Sequence, residues 1–112
     1  MKISVVSKIL EANEKIAADN RKLFDSAGTF VINLMSAPGA GKTTLLQRTI
    51  TQLNGDLKIG VIEGDIQGTH DAEQISRLGI PVVQINTGGA CHLDASMINE
   101  ALENLDFKEI DL

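Results

Sequence analysis

A glycine-rich loop between an apolar run and an amphipathic segment most strongly constrains the fold of this 112-residue chain. The run FVINLM, residues 30–35, is almost entirely apolar, which is typical of a strand buried on both faces of a parallel sheet. The loop SAPGAGKTT, residues 36–44, follows, and the next residues have the apolar spacing of a helix that ends near Gly55. The predicted inner stripe of this helix is Leu45, Leu46, Thr49, Ile50 and Leu53. This strand, loop and helix predict an α/β fold whose loop binds phosphate.

The loop contains the residue types that phosphate binding requires. Gly39 and Gly41 let backbone N–H groups converge on phosphate oxygens, and the helix that follows adds partial positive charge. We predict that Lys42 contacts the β- and γ-phosphates as a point charge and that Thr43 gives its hydroxyl to Mg²⁺. Ser36 stands where the strict pattern has glycine. The predicted nucleotide-binding residues are Pro38, Gly39, Ala40, Gly41, Lys42, Thr43 and Thr44.

The rest of the chain alternates predicted strands with predicted helices. The predicted elements are an N-terminal helix over 3–24, strands over 58–65 and 81–86, helices over 71–79 and 95–105, and the start of a further strand in 107–112. We expect Gly28 to end the first helix and Asp94 or Ser96 to cap the last one. The alternation predicts a P-loop NTPase-type, three-layer α/β domain with a mostly parallel sheet. We expect an N-terminal helical segment, 1–28, and the N-terminal part of the nucleotide-binding domain, 29–112. Because doubly wound sheets usually have five or six strands, we expect this domain to continue beyond Leu112.

A carboxylate follows the second predicted strand. Asp65 would lie at the carboxyl edge of the sheet, beside the phosphate loop, where it could hold Mg²⁺ directly or through water. We predict Lys42 and Asp65 as the catalytic residues, with Glu63 and Asp71 as further candidates for the metal and switch region. The alternative for Asp65 is a helix or turn cap. The Asn-Lys-x-Asp string that specifies guanine is absent from the sequence, so these residues do not distinguish GTP from ATP.

The chain's single cysteine, Cys91, is followed directly by His92. Thiolate and imidazole are preferred ligands of Zn²⁺ and also bind Ni²⁺, so the pair could form half of a four-ligand site. A two-fold symmetric dimer would bring two such pairs together. The alternative is an incidental dipeptide without a metal.

Three stretches together resemble the HypB family of hydrogenase nickel-incorporation proteins: NLMSAPGAGKTTLL, VIEGDIQGTHDA and QINTGGACHLDASMI. These proteins are P-loop GTPases related to urease-accessory and cobalamin-linked metallochaperones. The adjoining Cys91 and His92 favour the hydrogenase branch, since the urease-type relatives place a proline between the two. The similarity runs from about Asn20 to the end of the chain. Ser36 matches the S-x-P-G-x-G-K-T pattern of this family's phosphate loop.

The resemblance implies a GTPase that delivers nickel to [NiFe]-hydrogenase during maturation. GTP phosphates and Mg²⁺ would bind at the phosphate loop, with Thr43 and Asp65 at the magnesium. Cys91 and His92 would bind Ni²⁺ or Zn²⁺ near a homodimer interface. The implied partners are the maturation factor HypA and the hydrogenase large subunit.

Composition limits the alternatives. A formal net charge of −5 and a pI of about 4.8 argue against a general binder of nucleic acid or anionic membranes. One cysteine excludes an internal disulfide, and the first residues lack a signal-peptide core, so we predict a cytoplasmic protein. Two other functions remain open: a P-loop ATPase or small-molecule kinase with an incidental Cys-His pair, and a non-catalytic binding fragment.

Overall fold

The computed structural model describes residues 2–35, 41–65, 70–86 and 93–112. Helices and strands alternate in it after a long first helix, which confirms the α/β class. Two short 3₁₀ turns follow the last helix. The elements in chain order are α1 (Lys2–Ala27), α2 (Lys42–Leu53), β1 (Val61–Asp65), α3 (His70–Ser76), β2 (Val82–Asn86), α4 (Ala95–Ala101) and the 3₁₀ turns Leu102–Asn104 and Phe107–Glu109.

The two strands of the described chain are parallel neighbours, as predicted. Val61 pairs with Val82 at their amino ends and Asp65 pairs with Asn86 at their carboxyl ends. A parallel pair needs a crossover connection, and α3 lies in that connection. Both strands therefore end at the same edge of the sheet, where ligands of open α/β sheets bind.

An apolar core joins α2 and α3 to the amino ends of the strands. Its buried members are Ile50, Ile59, Ile75 and Ile80. Burying each of these side chains contributes roughly 1.5–3 kcal/mol. Leu46 and Leu53 pack against the core from α2, as the helical spacing predicts, but Leu45 of the same predicted stripe is 54% exposed. The inner face of α2 is therefore narrower than its sequence pattern indicates.

The end of α1 is set by Gly28, the predicted stop. Gly28 has a φ of +72°, and its N–H donates to the Asp25 carbonyl at 3.2 Å. The N–H of Thr29 donates to the Phe24 carbonyl at 2.9 Å. These two bonds form a Schellman motif, which satisfies carbonyls of the last turn and needs a left-handed residue at this position.

The predicted strand over 30–35 is not formed. Residues 29–35 have no regular secondary structure, and Phe30 and Met35 are 68% and 73% exposed. A strand requires a neighbour for its backbone groups, whereas β1 is paired with β2 alone among the described residues. The hydrogen bond from Phe30 N–H to the Asp111 carbonyl, 2.9 Å, connects only the start of the run to the last residues of the chain. Apolar composition predicted the burial wrongly because it does not supply that neighbour.

Two further boundaries differ from the prediction. The strand expected from Lys58 begins at Val61, and residues 58–60 instead bond to 111 and 112: Asp111 N–H donates to the Lys58 carbonyl at 2.7 Å and Gly60 N–H to the Leu112 carbonyl at 3.0 Å. The predicted strand over 107–112 begins as a 3₁₀ turn, Phe107–Glu109, and becomes extended at Ile110. No helix within the described ranges is both long and apolar enough to cross a membrane.

Candidate functional site

The start of α2 is the described part of the predicted phosphate loop. Gly41 is the N-cap of the helix, with a φ of +90° in the left-handed region, where a side chain would be strained. The first intrahelical bond runs from Leu45 N–H to the Gly41 carbonyl at 3.0 Å. The preceding N–H groups, of Lys42, Thr43 and Thr44, therefore have no acceptor in the first turn, and no side chain caps them in the described structure.

The side chains at the start of α2 suit an anion. The first turn contains no acidic residue, and Lys42 and Thr43 are half-buried whereas Thr44 is exposed. Uncapped N–H groups carry the positive end of the helix dipole, and Lys42 adds a full positive charge beside them. The donors present therefore fit a phosphate group. Pro38, Gly39 and Ala40, the other predicted nucleotide-binding residues, lie outside the described residues.

Apolar contacts determine which side of α2 lies against the sheet. Leu46 and Leu53 pack against the core that contains Ile50, and so do Val61 and Val82, the first residues of the two strands. The side of α2 that carries Leu46, Ile50 and Leu53 therefore lies against the amino ends of the strands. A phosphate loop before α2 would in addition need the first turn of the helix to face the carboxyl edge of the sheet, where ligands of such sheets bind.

Asp65 ends β1 at that carboxyl edge. Its backbone pairs with Asn86 of β2, while its side chain lies outside the described structure. Glu63, two residues earlier, is 8% exposed and pairs in register with Gln84 of β2. Because Glu63 is buried within the sheet, it is less accessible to a nucleotide than the last residue of the strand, Asp65. Asp65 therefore stays the better candidate for an Mg²⁺ ligand.

Cys91 and His92, the predicted nickel or zinc ligands, and Asp71's side chain also lie outside the described structure. Strand β2 ends at Asn86, and the next described residue is Leu93, shortly before α4 begins at Ala95. Across the described ranges, no group of three or more His, Cys, Asp or Glu side chains could hold a metal ion.

The start of α4 contains the predicted cap and one arrangement that the sequence did not predict. Asp94 Oδ1 accepts from Met97 N–H at 2.8 Å, which selects Asp94 rather than Ser96 as the cap. Two asparagines of α1, Asn13 and Asn20, bond to the backbone of Ala95. Asn20 recurs at helical spacing with the apolar Ile16 and Leu23, and a polar residue on that face of α1 was the available signal for this contact.

An open cavity of about 510 Å³ lies between α3 and β2. It is lined by Ala72, Glu73, Ser76, Arg77, Val82 and Gln84. None of these belongs to the predicted phosphate or metal sites.

The parallel sheet, its helices and the uncapped start of α2 define a P-loop-type α/β domain. The family model "CobW/HypB/UreG, nucleotide-binding domain" matches residues 30–112, and the chain belongs to that family. This family includes the branch that the sequence motifs indicated.

Individual relatives agree with the family match. The chain is 50% identical over 104 residues to the hydrogenase maturation factor HypB of Azotobacter vinelandii, covering 93% of this chain and 34% of the relative. It resembles the crystal structure of HypB from Archaeoglobus fulgidus with a TM-score of 0.80 and 40% identity, over 91% of this chain and 49% of that one. The structure of HypB from Helicobacter pylori in complex with nickel gives a TM-score of 0.81 and 38% identity, over 89% and 47%. The chain thus spans about a third of the length of its first curated relatives.

Proposed function

We propose that this chain is part of a GTP-hydrolysing nickel metallochaperone that delivers nickel to [NiFe]-hydrogenase during maturation. The observation that carries the proposal is the uncapped start of α2 at Gly41, with Lys42 and Thr43 in its first turn, in a member of the CobW/HypB/UreG family. The curated relatives are hydrogenase maturation factors, and one solved relative is a complex with nickel.

The nucleotide would bind where backbone N–H groups and Lys42 converge. Lys42 would stabilise the negative charge that develops on the γ-phosphoryl oxygens during hydrolysis, and the N–H groups of Thr43 and Thr44 would hold the phosphates in place. The Thr43 hydroxyl and the Asp65 carboxylate would hold Mg²⁺, which neutralises phosphate charge when bound. Pro38, Gly39 and Ala40 would complete the loop.

Nickel would be cargo, held by the Cys91 thiolate and the His92 imidazole. Because the pair supplies two ligands, we propose that two copies of the chain meet and complete a four-ligand site, which could also take Zn²⁺. GTP binding would order the segment after Asp65 and change how the two pairs hold the ion. Hydrolysis would then release nickel toward HypA or the hydrogenase large subunit.

Nucleotide binding is tested with a fluorescent GTP analogue. Lys42→Ala should weaken binding by about ten- to a hundredfold, because a hydrogen bond to a charged group contributes roughly 1.5–3 kcal/mol. Lys58→Ala is the matched control, since Lys58 is exposed and ion-paired with Glu109 at 3.7 Å, far along the chain from the loop. Equal affinities for the two variants would reject the assignment of Lys42.

Competition between GTP and ATP tests the class of enzyme. Tighter binding of GTP supports the chaperone, whereas preference for ATP supports an ATPase or a small-molecule kinase. Binding of GTP without measurable phosphate release would identify a non-catalytic binding module.

Metal binding is tested by titrating Ni²⁺ and Zn²⁺ into the wild-type protein and Cys91→Ala. We expect the variant to lose stoichiometric metal binding and to keep GTP affinity. Unchanged metal binding in Cys91→Ala would reject the Cys–His site.

A further inference from the structure

Helix α2 ends at the dipeptide Asn54-Gly55, in which a side-chain amide is followed by the residue type without a side chain. Asn54 is the C-cap of the helix, and its N–H donates to the Ile50 carbonyl at 2.8 Å. Both Asn54 and Gly55 are exposed. Every other asparagine in the sequence precedes a residue with a side chain, so this dipeptide occurs only at the end of α2.

The backbone nitrogen of Gly55 is accessible for reaction. The N–H groups that follow it are bonded, since Asp56 and Leu57 both donate to the Leu53 carbonyl at 2.9 Å. Within the described ranges, the Gly55 N–H has no backbone acceptor, and a Cβ built at Gly55 would meet no atom within 4 Å. Because glycine has no Cβ, no side chain of its own shields this nitrogen from the Asn54 amide. The two reacting groups are therefore adjacent in the chain and in open space.

We propose that Asn54 is a site of spontaneous deamidation. The Gly55 nitrogen, after losing its proton, attacks the side-chain carbonyl carbon of Asn54 and closes a five-membered succinimide ring. The bond from that carbon to Nδ2 breaks, and Nδ2 leaves as ammonia with the proton that Gly55 lost. Water then adds to either ring carbonyl and opens the ring to aspartate or isoaspartate. No group is oxidised or reduced, and the side-chain amide is exchanged for a carboxylate.

The product changes the charge and the backbone of this helix end. Each event adds one negative charge, so the net charge of the chain changes from −5 to −6. The charge is added at the carboxyl end of α2, which carries the negative end of the helix dipole. Isoaspartate also adds a methylene to the main chain inside the turn that the Leu53 carbonyl closes. Because Ile50 of this helix is 2% exposed in the core, the modified protein should unfold at a lower temperature.

Incubation of the whole folded chain at neutral to mildly alkaline pH, followed by peptide mass spectrometry, tests the proposal. Trypsin cleaves after Arg48 and Lys58, which gives the peptide 49–58 with Asn54 as its single asparagine. We expect this peptide to gain about 1 Da and to separate into an aspartate and an isoaspartate form on reversed-phase chromatography. Conversion should be faster at higher pH, because the Gly55 nitrogen reacts after losing its proton.

Asn104 is the matched control within the same chain. It is also exposed, but Leu105 follows it, so a side chain crowds the backbone nitrogen that would attack. Asn104 should stay unmodified over the time in which half of the Asn54 side chains convert. Equal conversion at the two asparagines would overturn the role of the glycine.

A variant and a free peptide separate the chemistry from the fold. Gly55→Ala should keep Asn54 unmodified over the same time, with wild-type helical circular dichroism. A synthetic peptide of residues 49–58 gives the rate of conversion without the helix. Asn54 that stays intact in the folded chain while this peptide converts completely would overturn the proposal, as would unchanged conversion in Gly55→Ala. A modified fraction, isolated by anion exchange, that keeps the wild-type midpoint of thermal unfolding would overturn the effect on the helix end.

Discussion

At the scale of single residues, local backbone chemistry was predictable and partners distant in sequence were not. Asp94 as a helix cap and Gly28 as a helix stop follow from residue type, because both devices act within a few positions of the chain. The bonds from Asn13 and Asn20 to Ala95 span 82 and 75 positions, and the local sequence does not identify Ala95 as the partner. The lysine and threonines of the phosphate loop were recognisable by pattern, and their roles stay predictions.

The side chain of Thr29 connects the residues after α1 to the 3₁₀ turn Phe107–Glu109 and to Ile110. Its hydroxyl lies 2.8 Å from the Phe107 carbonyl and 2.9 Å from the Ile110 carbonyl, and the residue is 9% exposed. Thr29→Val keeps the shape and removes the donor, so we expect a loss of about 1–3 kcal/mol in the free energy of unfolding. Urea denaturation measures this loss.

The control for Thr29→Val is Thr51→Val, on the exposed side of α2. Thr51 donates to the Gln47 carbonyl of its own helix at 2.7 Å, so water can replace that bond. This substitution should change stability by less than about 0.5 kcal/mol. Equal losses in the two variants would contradict the role of the Thr29 bonds.

At the scale of secondary structure, periodicity predicted the helices better than apolar content predicted strands. α1 and α2 lie close to their predicted ranges, since amphipathic spacing and glycine stops act along one segment. The run 30–35 was predicted as a strand from composition, which carries no information on whether a neighbouring strand pairs with it. The division of the chain at residues 28 and 29 stays a prediction.

Backbone strain at the end of α1 gives a prediction for that helix. Gly28 has a φ of +72° and no atom within 4 Å of an added Cβ, so Gly28→Ala would be opposed by conformation rather than by contact. We expect a loss of about 1–2 kcal/mol, seen as a lower midpoint in thermal unfolding followed by circular dichroism.

Gly55→Ala is the matched control for Gly28→Ala. Gly55 also has open space around it, but its φ is not in the left-handed region. The substitution should leave stability unchanged or raise it by up to about 1 kcal/mol, because alanine has less freedom in the unfolded chain. A loss as large as that of Gly28→Ala would refute the explanation from φ.

Hydrogen exchange tests the correction to the strand over 30–35. Amides within the β1–β2 ladder should exchange slowly, because they are hydrogen-bonded between parallel strands beside the buried core. Amides of residues 31–35 should exchange much faster, since those residues form no regular element. Comparable protection from hydrogen exchange in both segments would contradict this correction and support the predicted strand over 30–35.

At the scale of the whole molecule, the net charge and the proposed nucleotide site have opposite signs. A chain of net charge −5 repels free polyphosphate at long range, so binding must depend on the short-range donors at the start of α2. The sequence predicted this combination, because total charge and motif are both read directly from it. The predicted homodimer cannot be read from the sequence in the same way, because it depends on contacts between two copies of the chain.

Molar mass in solution tests the homodimer. Light scattering on a size-exclusion column should give about twice the chain mass of 12.0 kDa when Ni²⁺ and GTP are present. Cys91→Ala should shift the population toward the monomer, because it would remove one ligand from each half of the shared site. A wild-type protein that stays monomeric under these conditions would contradict the shared site.

The hydrogen bonds of Thr29 also set an order of events during synthesis. The hydroxyl that follows α1 is paired with the Ile110 carbonyl, 81 positions later in the chain. A ribosome adding about 5–20 residues per second takes roughly 4–16 s to cover that distance. Because most of the stability of a helix in a protein comes from tertiary packing, α1 lacks that contribution from these partners through this interval. The carboxyl end of α1 therefore leaves the ribosome well before the residues that fix it.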